Sequence, residues 1–167
     1  MKIFLVTGLP RSRTAWLANF FTWGNTVCFH DPLPDFDYDV GQFVSYVRSL
    51  PYENVGISDP GIALHAAFYH LSFPDAKVVI VNRDKPTCIT DFAKAFDLTP
   101  AQALDGVNRC EEGLELVRSK FKHVKVVDFK DLSDMDTLRS LFNFCCPLET
   151  FSDTRVKILV RIKCTVL

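Results

Sequence analysis

The sequence has little net charge and no long hydrophobic run. Its 19 lysines and arginines nearly balance 20 aspartates and glutamates, which leaves a formal net charge of -1. No positive field therefore extends over the molecule to attract nucleic acid, so an anion-binding site has to be local. No stretch approaches the roughly 18 apolar residues that cross a bilayer. We expect neither a membrane span nor a signal peptide.

Paired cysteine spacings are also missing. None of the six cysteines forms a C-x-x-C pair, which argues against a zinc site and against a disulfide framework. We therefore expect reduced, mostly buried thiols in a cytoplasmic protein. The cysteines are Cys28, Cys88, Cys110, Cys145, Cys146 and Cys164.

The sequence contains no internal repeat, no low-complexity segment and no linker that would divide it. Its 167 residues, of which 48% are hydrophobic and 23% charged, have an ordinary globular composition and suit one hydrophobic core. We therefore predict a single domain over residues 1–167.

Apolar runs with β-branched residues predict strands along the whole chain. These strands are Ile3 to Val6, Thr26 to His30, Val55 to Ser58, Ala76 to Asn82 and Val124 to Phe129. Between them, apolar residues at helical spacing predict helices over residues 40–50, 60–71, 100–120 and 134–144. A further helix is predicted to start after the first loop, with Trp16, Leu17, Phe20 and Phe21 at helical spacing, and another to follow Pro86 and end at about Phe96. The tail from Arg155 to Val166 favours a strand, although Leu159 breaks its alternation.

Alternating strands and helices predict an α/β domain with a mainly parallel sheet and helices on both faces. Ligands of such sheets bind at the carboxyl ends of the strands. Four segments with charged or hydroxyl side chains lie at predicted strand ends: Gly8 to Thr14, His30-Asp31, Ser58-Asp59 and Arg83.

The first of these segments has the layout of a phosphate-binding loop. A buried strand ends at Gly8 and a helix follows. The loop between them contains Arg11, Ser12, Arg13 and Thr14. Unpaired amides at a helix N-terminus favour an anion, and arginines add charge-assisted hydrogen bonds.

This loop lacks the features of a nucleoside triphosphate site. A Walker A loop reads G-x-x-x-x-G-K-[ST]. Counted from Gly8, its last three positions hold Arg13, Thr14 and Ala15, so the second glycine, the lysine and the Mg²⁺-binding hydroxyl are all absent. The loop therefore disfavours an ordinary ATPase or kinase, and a divergent P-loop kinase stays open as an alternative.

The loop resembles that of the P-loop sulfotransferases, which use 3′-phosphoadenosine 5′-phosphosulfate (PAPS). Their motif is roughly P-[KR]-[ST]-G-[ST]-x-W-L. The matching residues here are Pro10, Arg11, Ser12, Thr14, Trp16 and Leu17. The segment KVVIVNRDKPTCITDF is similar to the family's strand that ends in an arginine, with Arg83 in the matching place, and VKVVDFKDL is similar to a late strand–helix unit.

The resemblance implies a small, divergent PAPS-dependent sulfotransferase with a three-layer P-loop-type fold and no metal. It places Arg11 beside the leaving phosphate oxygen, and Arg83 on the 3′-phosphate. The 5′-phosphate would be held by Ser12, Thr14 and the backbone amides of residues 13–15, with Trp16 completing the motif. The product would be adenosine 3′,5′-bisphosphate (PAP).

Two residues depart from the family pattern. Arg13 replaces a glycine, which is tolerable if its φ stays negative, and its guanidinium could then help to bind the anion. Asp91 stands where the family has a serine that contacts the 3′-phosphate, and a carboxylate there would repel that group. Thr90, one residue earlier, is the candidate replacement.

Sulfuryl transfer also calls for a general base at the acceptor. Asp59 matches the position of a catalytic histidine in cytosolic family members, and His30-Asp31 match that of a glutamate in carbohydrate sulfotransferases. The alternative roles are a helix N-cap for Asp59 and a solvated turn for His30-Asp31.

The resemblance thus implies sulfuryl transfer from PAPS to a hydroxyl or amine of a small-molecule or carbohydrate acceptor. We expect no nucleic-acid or membrane partner. A non-catalytic module that binds PAPS or PAP is the second alternative. The acceptor's identity and the oligomeric state are left open.

Overall fold

Five parallel strands form one central sheet in the computed structural model, which describes residues 1–161. The strands are β1 (Lys2–Gly8), β2 (Thr26–His30), β3 (Asn54–Ser58), β4 (Lys77–Asn82) and β5 (His123–Asp128). Their order across the sheet is β2-β3-β1-β4-β5. The predicted α/β class and all five predicted strands are confirmed, with ends shifted by at most two residues.

Helices cover both faces of this sheet. They are α1 (Thr14–Phe21), α2 (Val40–Ser49), α3 (Gly61–Leu64), α4 (Ala66–Ser72), α5 (Lys85–Phe96), α6 (Pro100–Lys120), α7 (Met135–Cys145) and α8 (Asp153–Arg161). Short 3₁₀ turns span Leu33–Phe36 and Phe129–Ser133. The predicted helix over residues 60–71 is divided in two at His65, whose backbone leaves the helical region.

Alternate residues of β1 build two separate hydrophobic cores. Leu5 packs with residues of α2, α3, α4 and α6 on one face, whereas Phe4 and Val6 pack with α1 and α7 on the other. Because both faces are covered, the central strands are apolar almost throughout, as parallel strands usually are.

The strand register brings the functional segments to one edge of the sheet. Ser58 of β3 lies opposite Val6 of β1 and opposite His30 of β2. Gly8 lies opposite Val81, and Asn82 lies opposite Asp128 of β5. The segments that follow these strands therefore meet at the carboxyl edge, as the sequence predicted.

The tail is a helix, so the predicted strand from Arg155 is wrong for the residues up to Arg161. Val156 is buried in the α1/α7 core, and Leu159, three residues later, packs against the same core. Arg155 donates to the carbonyls of Asn19, Phe20 and Thr22 at distances of 2.6, 2.8 and 2.7 Å. These contacts with the end of α1 outweigh the β-branched composition, since β-propensity depends strongly on context. The rest of the predicted strand lies outside the described residues.

The described cysteines are buried, as expected. Cys28, Cys88, Cys110, Cys145 and Cys146 are all free and buried, and Cys164 lies outside the described residues. Over residues 1–161, no helix combines the length and apolarity that crossing a membrane requires.

Gly113 marks a close crossing between α6 and α3. A Cβ atom on Gly113 would overlap the backbone carbonyl of Ala63, which cannot rotate away. We expect Gly113→Ala to lower the free energy of unfolding by about 2 kcal/mol or more, because the two helices must separate. Urea denaturation measures the loss.

Gly106→Ala is the matched control in the same helix. Its Cβ would meet only the edge of the Phe92 side chain, at 3.0 Å. Because alanine favours helix by about 1 kcal/mol, this variant should be close to the wild type in stability or above it. Equal losses in the two variants would contradict the close crossing.

Candidate active site

The loop between β1 and α1 has an alternating backbone conformation that turns its amides to one side. Arg11 and Arg13 adopt positive φ angles of 69° and 61°, whereas Ser12 between them does not. Alternation of this kind forms an anion-binding concavity. Within residues 1–161, none of the amides of residues 11–16 donates a hydrogen bond, so these donors are free to bind an anion.

Arg13 does not meet the condition of a negative φ under which an arginine at this position would be free of strain. Its φ of 61° and ψ of 26° place it in the left-handed region that the family's glycine would occupy without strain. An arginine there costs about 1–2 kcal/mol, and the loop imposes the conformation nevertheless. At Gly8, in contrast to residue 13, a side chain is not tolerated. A Cβ there would lie 2.6 Å from the carbonyl oxygen of Val81.

The two hydroxyl residues of the loop are buried beneath it. Ser12 is fully buried, and its Oγ has no hydrogen-bond partner in the part of the chain that the structure describes. Thr14 is 5% exposed, and its carbonyl accepts a 2.8 Å hydrogen bond from Ser58 Oγ. An orphaned buried hydroxyl is costly, so Ser12 fits a loop that closes on a polar ligand.

Arg83 leaves β4 and reaches the loop. Its guanidinium donates to the carbonyl of Arg11 and forms an ion pair with Asp91 at 2.5 Å. The guanidinium carbon also lies 4.4 Å from the ring centroid of Phe129, and that of Arg13 lies 4.8 Å from the same ring. Two arginine side chains, Arg13 and Arg83, therefore lie against one phenylalanine, and Arg83 is already paired with a carboxylate.

Phe129 is a site residue that the sequence analysis missed. It is the first residue after β5, at the same edge of the sheet as the loop. Its position at a strand end could have indicated a site residue. Its chemistry could not, because the sequence has 15 phenylalanines and most phenylalanines belong to a hydrophobic core.

Two predicted binding residues point elsewhere. The Thr90 hydroxyl is exposed and donates to the carbonyl of Pro86 at 3.1 Å, within its own helix. The Trp16 ring is 7% exposed and stacks on Phe20, and its Nε1 donates to the carbonyl of Leu159. Trp16 therefore holds α1 against the core, and Ala15 behind the loop is half-buried.

Asp59 is a buried carboxylate at the end of β3. It is 4% exposed and accepts a 2.6 Å hydrogen bond from the Gly61 amide. Burial raises its pKa to about 6, and the charge of Asp31 adds to the rise, whereas Gly61, His30 and His65 act in the opposite direction. A carboxyl with a pKa near 6 can hold or release a proton close to neutral pH.

His30 and Asp31 lie beside Asp59 but are exposed. His30 Nδ1 lies 2.9 Å from the carbonyl oxygen of Ser58, and because a carbonyl can only accept, Nδ1 is the donor of this hydrogen bond. Asp31 adopts a φ of 47°, and its amide donates to the same carbonyl at 3.4 Å. The three candidate bases therefore converge, and Asp59 is the buried one of the three.

Tyr69 is a second residue that the sequence did not single out. Its side chain is fully buried in α4, and its hydroxyl has no partner among the described residues. Burial raises its pKa, and the charges of Asp59 and Asp31 raise it further, so the hydroxyl stays protonated beside them. Nothing in the pattern of the helix distinguishes it from an ordinary core tyrosine.

A cleft of about 450 Å³ adjoins the loop where β4 faces α6. Arg83, Lys85 and Leu9 lie on one side, and Glu111 and Arg118 on the other. Lys85 is paired with Glu111 at 2.6 Å, so its charge is already compensated.

Comparison with solved structures places this fold among known enzymes. A sulfotransferase from Alicyclobacillus acidocaldarius superposes with a TM-score of 0.67 over 95% of this chain and 90% of its own, at 13% identity. A shikimate kinase from Bacteroides thetaiotaomicron superposes with a TM-score of 0.52 over 96% of this chain and 99% of its own, at 12% identity. No protein-family model and no curated protein matches the sequence. The chain therefore has the α/β fold that P-loop sulfotransferases and kinases share.

Proposed function

We propose that this protein is a sulfotransferase that moves a sulfuryl group from PAPS to a hydroxyl or amine of a small-molecule or carbohydrate acceptor. The observation that carries the proposal is the composition of the anion loop. Its free amides are joined by arginines rather than by the lysine and hydroxyl that a Mg²⁺-nucleotide site needs. The structural likeness to a sulfotransferase agrees with this choice through the fold, which kinases share.

The loop fits the 5′ end of this nucleotide. The free amides of residues 11–16 and the orphaned Ser12 hydroxyl would hold the phosphate oxygens, and the half-buried Arg11 would add a positive charge. When bound, PAPS supplies the sulfuryl group, whose transfer leaves negative charge on a phosphate oxygen. A cation fixed where that charge develops stabilises the transition state, and we assign this role to Arg11.

Asp59 is our choice for the general base. Its buried carboxylate would take the proton of the acceptor, and its pKa near 6 leaves it mostly deprotonated at pH 7. Asp31 and His30, exposed at the neighbouring strand end, would then face the acceptor rather than take its proton.

Direct assay of transfer tests the proposal. The protein is incubated with ³⁵S-labelled PAPS and a panel of hydroxyl and amine acceptors, with and without EDTA. We expect labelled product at the same rate in both conditions, because amides and arginines replace a metal at the loop. PAP should raise the melting temperature and Mg-ATP should not.

The alternatives give different results in the same experiment. Stabilisation by Mg-ATP but not by PAP would contradict the proposal and favour a divergent kinase. Binding of PAP without transfer to any acceptor would favour a non-catalytic nucleotide-binding module.

A further inference from the structure

The charge of Arg83 is already compensated inside the protein. Its ion pair with Asp91 measures 2.5 Å, and the Arg83 side chain is only 14% exposed. A second donor group of the same guanidinium is committed to the Arg11 carbonyl. The third neighbour, Phe129, covers one face of the guanidinium at 4.4 Å.

Any anion that approached Arg83 would also approach the Asp91 carboxylate. The two side chains are in direct contact, so an anion bonded to the guanidinium lies within a few ångströms of a like charge. At such separations the repulsion between unit charges offsets much of the attraction to the arginine. Arg83 is therefore a weak receptor for a second phosphate, although it lies beside the loop.

We propose that Asp91 sets the nucleotide specificity of this site by cancelling the contribution of a 3′-phosphate. The inference rests on the proposed function, because it takes the ligand to be a nucleotide whose 5′ end occupies the loop. The 5′ end of the nucleotide then supplies most of the binding free energy. A nucleotide with a 3′-phosphate binds with little more affinity than one without it.

Asp91 also has a structural role that a test must separate from its charge. By holding Arg83 it steadies the contact with the Arg11 carbonyl, which braces the loop. Asp91→Asn keeps an oxygen that can accept the Arg83 hydrogen bond and removes only the charge. Asp105→Asn, at an exposed position in α6, changes the net charge of the protein equally and serves as control.

Isothermal titration with PAP and with adenosine 5′-monophosphate (AMP) tests the inference. In the wild type and in Asp105→Asn, we expect PAP to bind at most about threefold more tightly than AMP, because the carboxylate compensates Arg83. In Asp91→Asn, we expect the affinity for PAP to rise about tenfold while that for AMP changes by less than about threefold, since AMP lacks the 3′-phosphate that the resemblance assigns to Arg83. Asp91→Ser should give the same shift.

The possible failures are distinguishable. If the preference for PAP over AMP is the same in Asp91→Asn as in the wild type, the inference is wrong and the proposed function stands. If the affinities for PAP and AMP change together, Asp91 acts through the loop brace and the inference is again wrong. If neither nucleotide binds any of the proteins, the proposed function fails, and the inference fails with it.

Discussion

Arg11→Ala should lower the rate of sulfuryl transfer by about 100- to 1,000-fold, the usual cost of removing one group that stabilises transition-state charge. Arg11 is the cation we assign to the phosphate oxygen, and within residues 1–161 it forms no salt bridge that would occupy it. Its backbone also belongs to the anion loop, where it adopts a φ of 69°. Single-turnover measurements with labelled PAPS give the rate.

Arg109→Ala is the control, because it removes an equal charge from an exposed position in α6. That variant should keep the wild-type rate. Arg11→Lys should recover part of the loss, since a lysine supplies the charge without the planar fork of the guanidinium. If Arg11→Ala retains more than a third of the wild-type rate, the role given to Arg11 is wrong.

Asp59→Asn should abolish most of the activity and at the same time stabilise the protein above pH 6. The folded protein holds the Asp59 proton up to a pKa of about 6, whereas an unperturbed aspartate in the unfolded chain has a pKa of 3.8. Between these values only the folded state keeps the proton, so the stability of the wild type falls as pH rises from about 4 to 6. This rise in the pKa of Asp59 corresponds to a loss of about 3 kcal/mol in the free energy of unfolding once the carboxyl is charged.

Asparagine removes this penalty because it is never charged and can still accept the Gly61 hydrogen bond. We expect Asp59→Asn to exceed the wild type by about 2–3 kcal/mol in unfolding free energy at pH 7.5 and to match it near pH 4. Loss of the general base should lower the transfer rate by about 100- to 10,000-fold. In the wild type, activity should fall as pH drops below about 6, where Asp59 takes up its proton.

Asp31→Asn is the matched comparison for the base. It removes an exposed carboxylate from the neighbouring strand end and should leave most of the stability unchanged. If Asp31→Asn loses the activity and Asp59→Asn keeps it, the base is Asp31 and Asp59 is a helix-capping carboxylate. Urea denaturation at both pH values separates the stability effect from the catalytic effect.

The strands and the loop could be predicted because local chemistry determines them. Continuous β-branched runs such as the one from Val78 to Val81 suit a strand covered on both faces. Gly8 followed by arginines and a helical pattern marks a phosphate loop in any parallel sheet. The register then follows from the topology, which is why His30-Asp31 and Asp59 were expected together.

The features that the sequence missed depend on partners far along the chain. The helix α8 forms because Arg155 reaches carbonyls more than 130 residues away, which its own β-branched neighbours do not reveal. The left-handed Arg13 reflects the closure of the loop, not the preference of arginine. The sequence predicted that Asp91 repels a phosphate. Its pairing with Arg83 could not be predicted, because it depends on how close the end of β4 lies to the first turns of α5.

The docking of α8 on α1 also gives the protein a built-in optical reporter. Both tryptophans of the sequence lie along α1 and its end, and both touch α8: Trp16 through the Leu159 carbonyl, and Trp23 beneath the Arg155 guanidinium at 4.8 Å. Trp16 is 7% exposed and Trp23 is 40% exposed. The fluorescence of Trp16 therefore comes from an apolar environment, and that of Trp23 from a solvent-exposed one. Intrinsic fluorescence therefore follows, without any label, how firmly the helix that carries the anion loop is held.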